Sequence, residues 1–429
     1  MQSHAVNRRN GSQEFHVAAG FHSAVGSRGI MRGNEKWAAN PGTPRVPAIS
    51  NGRRVLSRAW VGVMVWAAVI CANTERAQAQ WLALTNVTPR LAHSELGGAC
   101  ISIEYDLNDT QITDQAPAYV FVRYRFRSGS SWKLVSPQCF QGRQIATSGG
   151  HNQCVWWGIS QAGITNLDQI EIRVRGLAMA RVPAGMFRRK SVPGAGHDSS
   201  KGAKDPAYLP DYLIARCETT VAMYADFLNE CGSGGPGWNP KMPDPQRCGL
   251  EKRPAGGYQA LAGRAEYPIN YVSWYDAVAF LDWCGLRLPT EAEWEKAFRG
   301  GLYLDGDDSK KVANPMPERT YPWGNESPDE GGVYRCNVDG DQDGFAFTSP
   351  VGSFRRFNSP YGVCDLSGNV AEWTLDWYQT SYHAGLDGFR ILRGGSWMDP
   401  SAGVDAVSAP TSLPLKASSL MGFRAVFNP

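Results

Sequence analysis

Between Asn337 and Phe345 the chain reads Asn-Val-Asp-Gly-Asp-Gln-Asp-Gly-Phe, with carboxylates at 339, 341 and 343. Alternating carboxylates before a glycine put hard oxygen donors on a tight turn, which is the donor chemistry of Ca2+. The first half of an EF-hand loop has this form. Its last ligand position falls on Pro350, where a bidentate Glu is required, so an EF-hand is excluded. Other chemistries fare worse. No cysteine follows Cys364 and no Cys-x-x-Cys occurs, which argues against a zinc ribbon or a thioredoxin-type site. After residue 151 the histidines are His197 and His383, too few for a three-histidine iron centre. Ser396, His383 and one of Asp376, Asp387 or Asp399 have the residue types of a hydrolase triad. No Gly-x-Ser-x-Gly elbow presents that serine, and scattered polar residues in a loop-rich chain account for them.

Regular elements must hold these loops in place. Residues 82–176 alternate with period two: Ile101, Ile103 and Tyr105 on β-type spacing, then Val120, Val122, Tyr124 and Phe126, then Ile170, Ile172 and Val174. That pattern, broken by Gly/Ser/Asn turns, predicts a small antiparallel sandwich with long loops at 106–117 and 142–152. Beyond it, Val221, Tyr224, Ala225 and Leu228 share one helical face after Thr220. Ser273 with Asp276, and Thr290 with Glu293, are capping boxes that open two more helices. In the second of these, Glu291 and Glu293 lead, Lys296 and Arg299 trail, and Gly300-Gly301 stops the helix. Arg287–Arg299 is therefore read as fold-forming rather than catalytic. The 47 Gly, 27 Pro and 15 Trp predict much irregular chain anchored by large rings.

A net charge of +3 on 429 residues, with no basic stripe, excludes a nucleic-acid footprint. Arg53, Arg54 and Arg58 precede an apolar run at Ala59–Ala72 and an Ala77-Gln-Ala79 cleavage pattern. Residues 53–79 are thus expected to be a signal peptide, and 1–52 to be disordered or a misassigned start. Export to a secreted or periplasmic setting follows, with membrane contact only through the signal segment if it stays uncleaved. Of the 10 cysteines only Cys71 precedes the cleavage point, which leaves an odd set in an oxidising compartment. Cys139–Cys154, flanking a Gly/Ser/Asn stretch, is the pairing expected in the sandwich.

Five motifs in order, Arg287-Leu-Pro-Thr-Glu-Ala-Glu-Trp-Glu295, Tyr321-Pro-Trp-Gly-Asn325, Gly368-Asn-Val-Ala-Glu-Trp373, Arg393-Gly-Gly-Ser-Trp397 and Gly422-Phe-Arg424, resemble the formylglycine-generating enzyme family, also called sulfatase-modifying factors. The resemblance covers residues 178–429. It implies an α+β architecture: a C-type-lectin-like domain at 178–429, preceded by an immunoglobulin-like β-sandwich at 80–176. It also implies a calcium ion held by the side chains of Asn337 and Asp343 and the carbonyls of Val338 and Phe345. A second ion is implied at Asp365 and Glu372 with the carbonyls of Gly368 and Val370. In the family, a Cys three residues after the Gly-Gly-Ser serine and another five further on bind Cu(I), which activates O2 to oxidise a substrate cysteine to formylglycine.

Ser396 matches that serine, and the two thiolate positions are Asp399 and Val404. A carboxylate and an isopropyl group lack the soft donors Cu(I) selects, so copper is not expected and no catalytic residue is assigned. The expected protein is an exported, non-catalytic, calcium-stabilised module. A groove at Ser396, Trp397 and Asp399 would take a protein, peptide or carbohydrate ligand. Formylglycine generation by another route is one alternative. A receptor diversified between Gly-Gly-Ser-Trp and Gly-Phe-Arg is the other.

Overall fold

The period-two segments form strands where the alternation places them. In this computed structural model the described residues are 81–93, 98–141, 144–160, 162–189, 206–231, 237–378 and 388–429. The expected leader at 53–79, residues 1–52, and the positions of His197, His383 and Asp387 lie outside them. The first half contains β1 (Leu84–His93), β2 (Ala99–Leu107), β3 (Ala118–Phe126), β4 (Lys133–Leu134), β5 (Phe140–Gln141), β6 (Ile145–Ala146), β7 (Gly150–Gly158) and β8 (Ile170–Val182). One sheet has the order β1-β2-β7-β5, and β3, β4, β6 and β8 lie in the other. Between the sheets, Ile101, Ile103 and Tyr105 meet Val120, Val122, Val155 and Trp157 in one core.

The second half adds β9 (Gly185–Phe187), β10 (Ala207–Leu209), β11 (Tyr212–Ala215), α1 (Val221–Cys231), β12 (Leu250–Lys252), β13 (Tyr258–Ala260), α2 (Trp274–Cys284) and α3 (Glu291–Arg299). β14 (Ala371–Trp377), β15 (Arg390–Arg393), β16 (Thr411–Ser412), β17 (Met421–Gly422) and β18 (Val426–Phe427) complete it. Among the described residues the architecture is α+β: three helices, small sheets and long ordered loops. Both capping boxes form as the sequence predicts, with the side chains of Ser273 and Thr290 accepting the N–H groups of Asp276 and Glu293. Gly285 ends α2 at φ 77°, ψ 28°, the left-handed conformation that disfavours a Cβ. The basic residues at the end of α3 face inward rather than outward. Lys296 Nζ donates to the carbonyls of Pro183 and Gly185 at 2.6 and 3.0 Å, and Arg299 Nε to Glu295 at 2.8 Å.

The boundary expected at 176/178 falls inside one strand. β8 runs 13 residues. Ile170–Ala178 pairs with β3, and Met179–Val182 pairs with β11. A sheet of order β18-β11-β8-β3-β4 therefore crosses both halves. β3 is covered on both faces: Val120 and Val122 enter the sandwich core, while Tyr119 and Phe121 enter a second core with Tyr224, Phe280 and Trp283. The period-two reading placed the first face correctly and left the second unexplained, because alternation alone cannot show that both faces are buried.

An ion cluster centred on one buried carboxylate fastens the β-module to the helices. Glu230 of α1, with its side chain fully buried, accepts from Arg123 at 2.7 Å, Arg173 at 2.7 Å and Arg175 at 2.9 Å. Trp283 Nε1 adds a fourth bond at 3.0 Å. Three cations on one carboxylate explain why its pKa lies below the usual range although burial pushes the other way.

The expected Cys139–Cys154 bond is not supported. Phe140 pairs with Trp157, which sets Cys139 beside Gly158, and Cys154 lies opposite Glu104. Four residues of strand separate the two positions by ~13 Å, whereas a disulfide needs Cα atoms roughly 4.4–6.8 Å apart. The nine cysteines of the described residues are free thiols.

Candidate functional site

After β15 the chain makes a tight turn on Gly394 and Gly395, at φ 89° and 67°. A Cβ on Gly395 would meet the Gly403 carbonyl and Val404 Cγ1, both at 2.8 Å, so the close return of the chain requires glycine. Ser396 follows. Its N–H and Oγ both donate to Asp399 Oδ2, at 2.8 and 2.7 Å, and the Asp399 N–H donates back to the Ser396 carbonyl at 3.0 Å. Asp399 is thereby the closing residue of a turn. Ser401–Gly403 then forms a single 3-10 turn that leads to Val404. Val404 is fully buried beside Tyr321, Cys336 and Val338.

The two positions that carry thiolates in the resembled family are therefore occupied by a carboxylate turned onto its own loop and by an isopropyl group in a small core. The donor set does not fit copper. Ser396 and Trp397 are 1% and 8% exposed. Trp397 Nε1 donates to the Ser419 carbonyl at 3.1 Å, and its ring packs edge-on against Phe347 at 5.2 Å. Both residues are framework, and neither forms an open groove wall. An open cleft of about 550 Å3 lies elsewhere, with Tyr334, Asp343, Phe345, Phe354, Arg355 and Phe357 among its walls.

Asp343 connects this cleft to the first expected calcium set. Its Oδ2 accepts the Val338 N–H at 2.9 Å and its Oδ1 the Phe345 N–H at 2.8 Å. Burial pushes its carboxyl above the ordinary value. Asn337, 1% exposed, donates through Nδ2 to the Phe347 carbonyl at 2.8 Å. Its Oδ1 is buried with no hydrogen-bond partner. An orphaned amide oxygen beside a disfavoured carboxylate is a fit for a hard cation. Asp339 and Asp341 are exposed, so one carboxylate of the three turns inward. Among the described residues no group of three or more His, Cys, Asp or Glu side chains is placed to hold a metal, so this set relies on amide and carbonyl oxygens.

The second set lies one loop away. Asn337 and Gly368 form a parallel bridge, and a Cβ on Gly368 would lie 1.9 Å from the Asn337 carbonyl oxygen. Asp365, at φ 55°, accepts the Gly352 N–H at 2.5 Å, and burial pushes its carboxyl up to about 6. Glu372 is fully buried and accepts both Nε and Nη2 of Arg424, at 2.6 and 2.5 Å, plus Trp294 Nε1 at 2.9 Å. Sequence reasoning missed a third carboxylate. Glu218 accepts Asn369 Nδ2 at 2.7 Å and the Val370 N–H at 3.2 Å. Burial, then Asp365 and Glu372, push it well above the usual range. Arg424 lies against all three carboxylates, and their burial and mutual repulsion raise both Glu218 and Asp365. Nothing in the spacing links Glu218 to a loop about 150 residues later; the pairing exists only in three dimensions.

Residues 169–429 match the sulfatase-modifying factor enzyme 1-like domain family. The chain belongs to this family. The match begins one residue before β8, so the strand shared by both halves is part of the family domain. A formylglycine-generating enzyme of Streptomyces coelicolor is 37% identical over 40% of this chain and 56% of its own length. One from Thermomonospora curvata is 31% identical over 48% of this chain and 73% of that protein. The inactive C-alpha-formylglycine-generating enzyme 2 of Bos taurus is 37% identical over 40% of this chain and 54% of that protein. The chain thus spans about half the length of two of these three relatives. Among solved structures, CarF aligns at 22% identity with a TM-score of 0.40, over 58% of this chain and 97% of the other. Treponema denticola variable protein 1 aligns at 19% identity with a TM-score of 0.40, over 59% and 96%.

Proposed function

We propose that this sulfatase-modifying-factor family member is an exported, non-catalytic module stabilised by calcium, which binds a peptide or protein ligand. One observation carries the reading: Asp399 and Val404 stand at the thiolate positions, one closing a turn on Ser396 and the other buried beside Tyr321 and Cys336. Copper-dependent oxidation of a substrate cysteine has no donors there. Its named relatives include both a formylglycine-generating enzyme and an inactive protein, so membership of the family leaves both roles open.

Calcium is proposed at Asn337, Val338, Asp343 and Phe345, supported by the orphaned Asn337 Oδ1. It is proposed also at Asp365, Gly368, Val370 and Glu372, where the buried carboxylates of Asp365, Glu372 and Glu218 crowd together around Arg424. When bound, the ion supplies charge and ties loops that bury little apolar surface. The ligand surface is assigned to the cleft walled by Tyr334, Phe345, Phe354 and Phe357, since rings beside Arg355 offer both apolar area and charge to a peptide. Differential scanning fluorimetry of the full chain with calcium and with chelator tests the stabilising role. Incubation with Cu(I), O2 and a cysteine peptide tests the absence of oxidation.

A further inference from the structure

We propose that Cys217 and Cys364 are a disulfide-forming pair that staples the Glu218 segment to the Asp365 segment. The main chain holds the two residues together. The Cys364 N–H donates to the Arg216 carbonyl at 2.8 Å. Arg424 clamps the same two segments, donating to the carbonyls of Cys364 at 2.9 Å and Ala215 at 3.2 Å. The two thiols are set on these neighbouring segments, close enough to influence one another. Other buried thiols are committed differently: Cys248 donates to the Asn270 carbonyl at 3.8 Å and Cys284 to the Leu281 carbonyl at 3.3 Å.

Cys364 is buried, while Cys217 is of intermediate exposure, so Cys217 is the more accessible of the two to a small oxidant and Cys364 is placed to resolve it.

The exchange balances with a low-molecular-weight disulfide such as oxidised glutathione. Cys217 sulfur attacks one glutathione sulfur, breaks the glutathione disulfide and releases one glutathione thiolate. The Cys364 thiolate then attacks the Cys217 sulfur and releases the second. Two protein thiols and one glutathione disulfide become one protein disulfide and two glutathione thiols, which take up the two protons. The electron pair passes from the protein to glutathione. Each cysteine directly precedes a carboxylate of the buried acidic cluster, so the bond fixes Glu218 against Asp365. It also closes a loop of well over 100 residues, the regime in which a crosslink constrains the unfolded chain most.

The test uses the full-length protein, equilibrated either with oxidised glutathione or with excess dithiothreitol, then unfolded, alkylated and digested without reduction. Mass spectrometry is expected to find a peptide joining 217 to 364 in the oxidised sample. The oxidised protein is expected to melt roughly 5–10 °C above the reduced one. Cys217→Ser and Cys364→Ser should each abolish the joined peptide and the melting difference. Recovery of both positions as alkylated thiols from wild-type protein after glutathione oxidation would overturn the proposal, and that readout needs no variant to fold.

Discussion

The Asp399 carboxylate accepts two hydrogen bonds from a single residue, Ser396, one from its N–H at 2.8 Å and one from its hydroxyl at 2.7 Å. A carboxylate spent on a turn has a structural account, and a structural account makes a definite prediction. Asp399→Ala is expected to destabilise the fold by about 1.5–3 kcal/mol, the range for hydrogen bonds to a charged group. Asp399→Asn, which keeps one acceptor, is expected to cost less. Urea unfolding followed by tryptophan fluorescence measures both. Unchanged midpoints would show that the turn stands without the carboxylate.

Glu230 joins the β-module to the helices through Arg123, Arg173 and Arg175. Removing one partner of a buried ion cluster strands the others, so Glu230→Gln is expected to cost about 3–5 kcal/mol. The sheet shared through β8 further predicts that both halves unfold in one transition. Calorimetry of the full chain reads the point directly: two resolved transitions in wild-type protein would restore a division at 176/178.

Calcium is expected to raise the melting temperature. A ligand that binds only the folded state adds roughly 2.7 kcal/mol at a hundredfold excess over Kd. Asp343→Ala, which removes the inward carboxylate beside the orphaned Asn337 oxygen, is expected to lose most of the response at the first site. Should chelator leave the wild-type melting curve unmoved, the loops at 337–345 and 365–372 are held by their own hydrogen bonds alone.

Asp106 carries a separable acid sensitivity. Hydrogen bonds from His151, Asn86 at 2.7 Å and the Asn152 N–H at 2.9 Å hold its carboxyl down to about 2. A folded value below the unfolded one, about 3.9, means the stabilisation is present above that pH and is lost as pH falls toward about 2. Asp106→Asn should therefore flatten the decline of stability between about pH 4 and pH 2. Equilibrium unfolding across that window, run in chelator so that cation sites do not contribute, is the check. Identical slopes for variant and wild type would remove Asp106 from the account.

What could be read from the chain was local. Ser273–Asp276 and Thr290–Glu293 lie within a turn of each other, so their caps follow from spacing alone. The alternation at Ile101–Tyr105 likewise identified β2. What failed was long-range. Glu218 meets Asn369 only after the chain folds, and Cys217 meets Cys364 in the same way. Spacing also says nothing of which way a loop side chain turns, so the groove expected at Ser396 and Trp397 gives way to two residues buried in the framework.

The central claim is that no oxidase chemistry survives where Asp399 and Val404 replace the two thiolates. Its most direct measurement is mass spectrometry of a Cys-x-Pro-x-Arg peptide incubated with the full-length protein, Cu(I) and O2. The account predicts no more aldehyde than in a copper-only control. Turnover above that control, proportional to protein concentration, would contradict it.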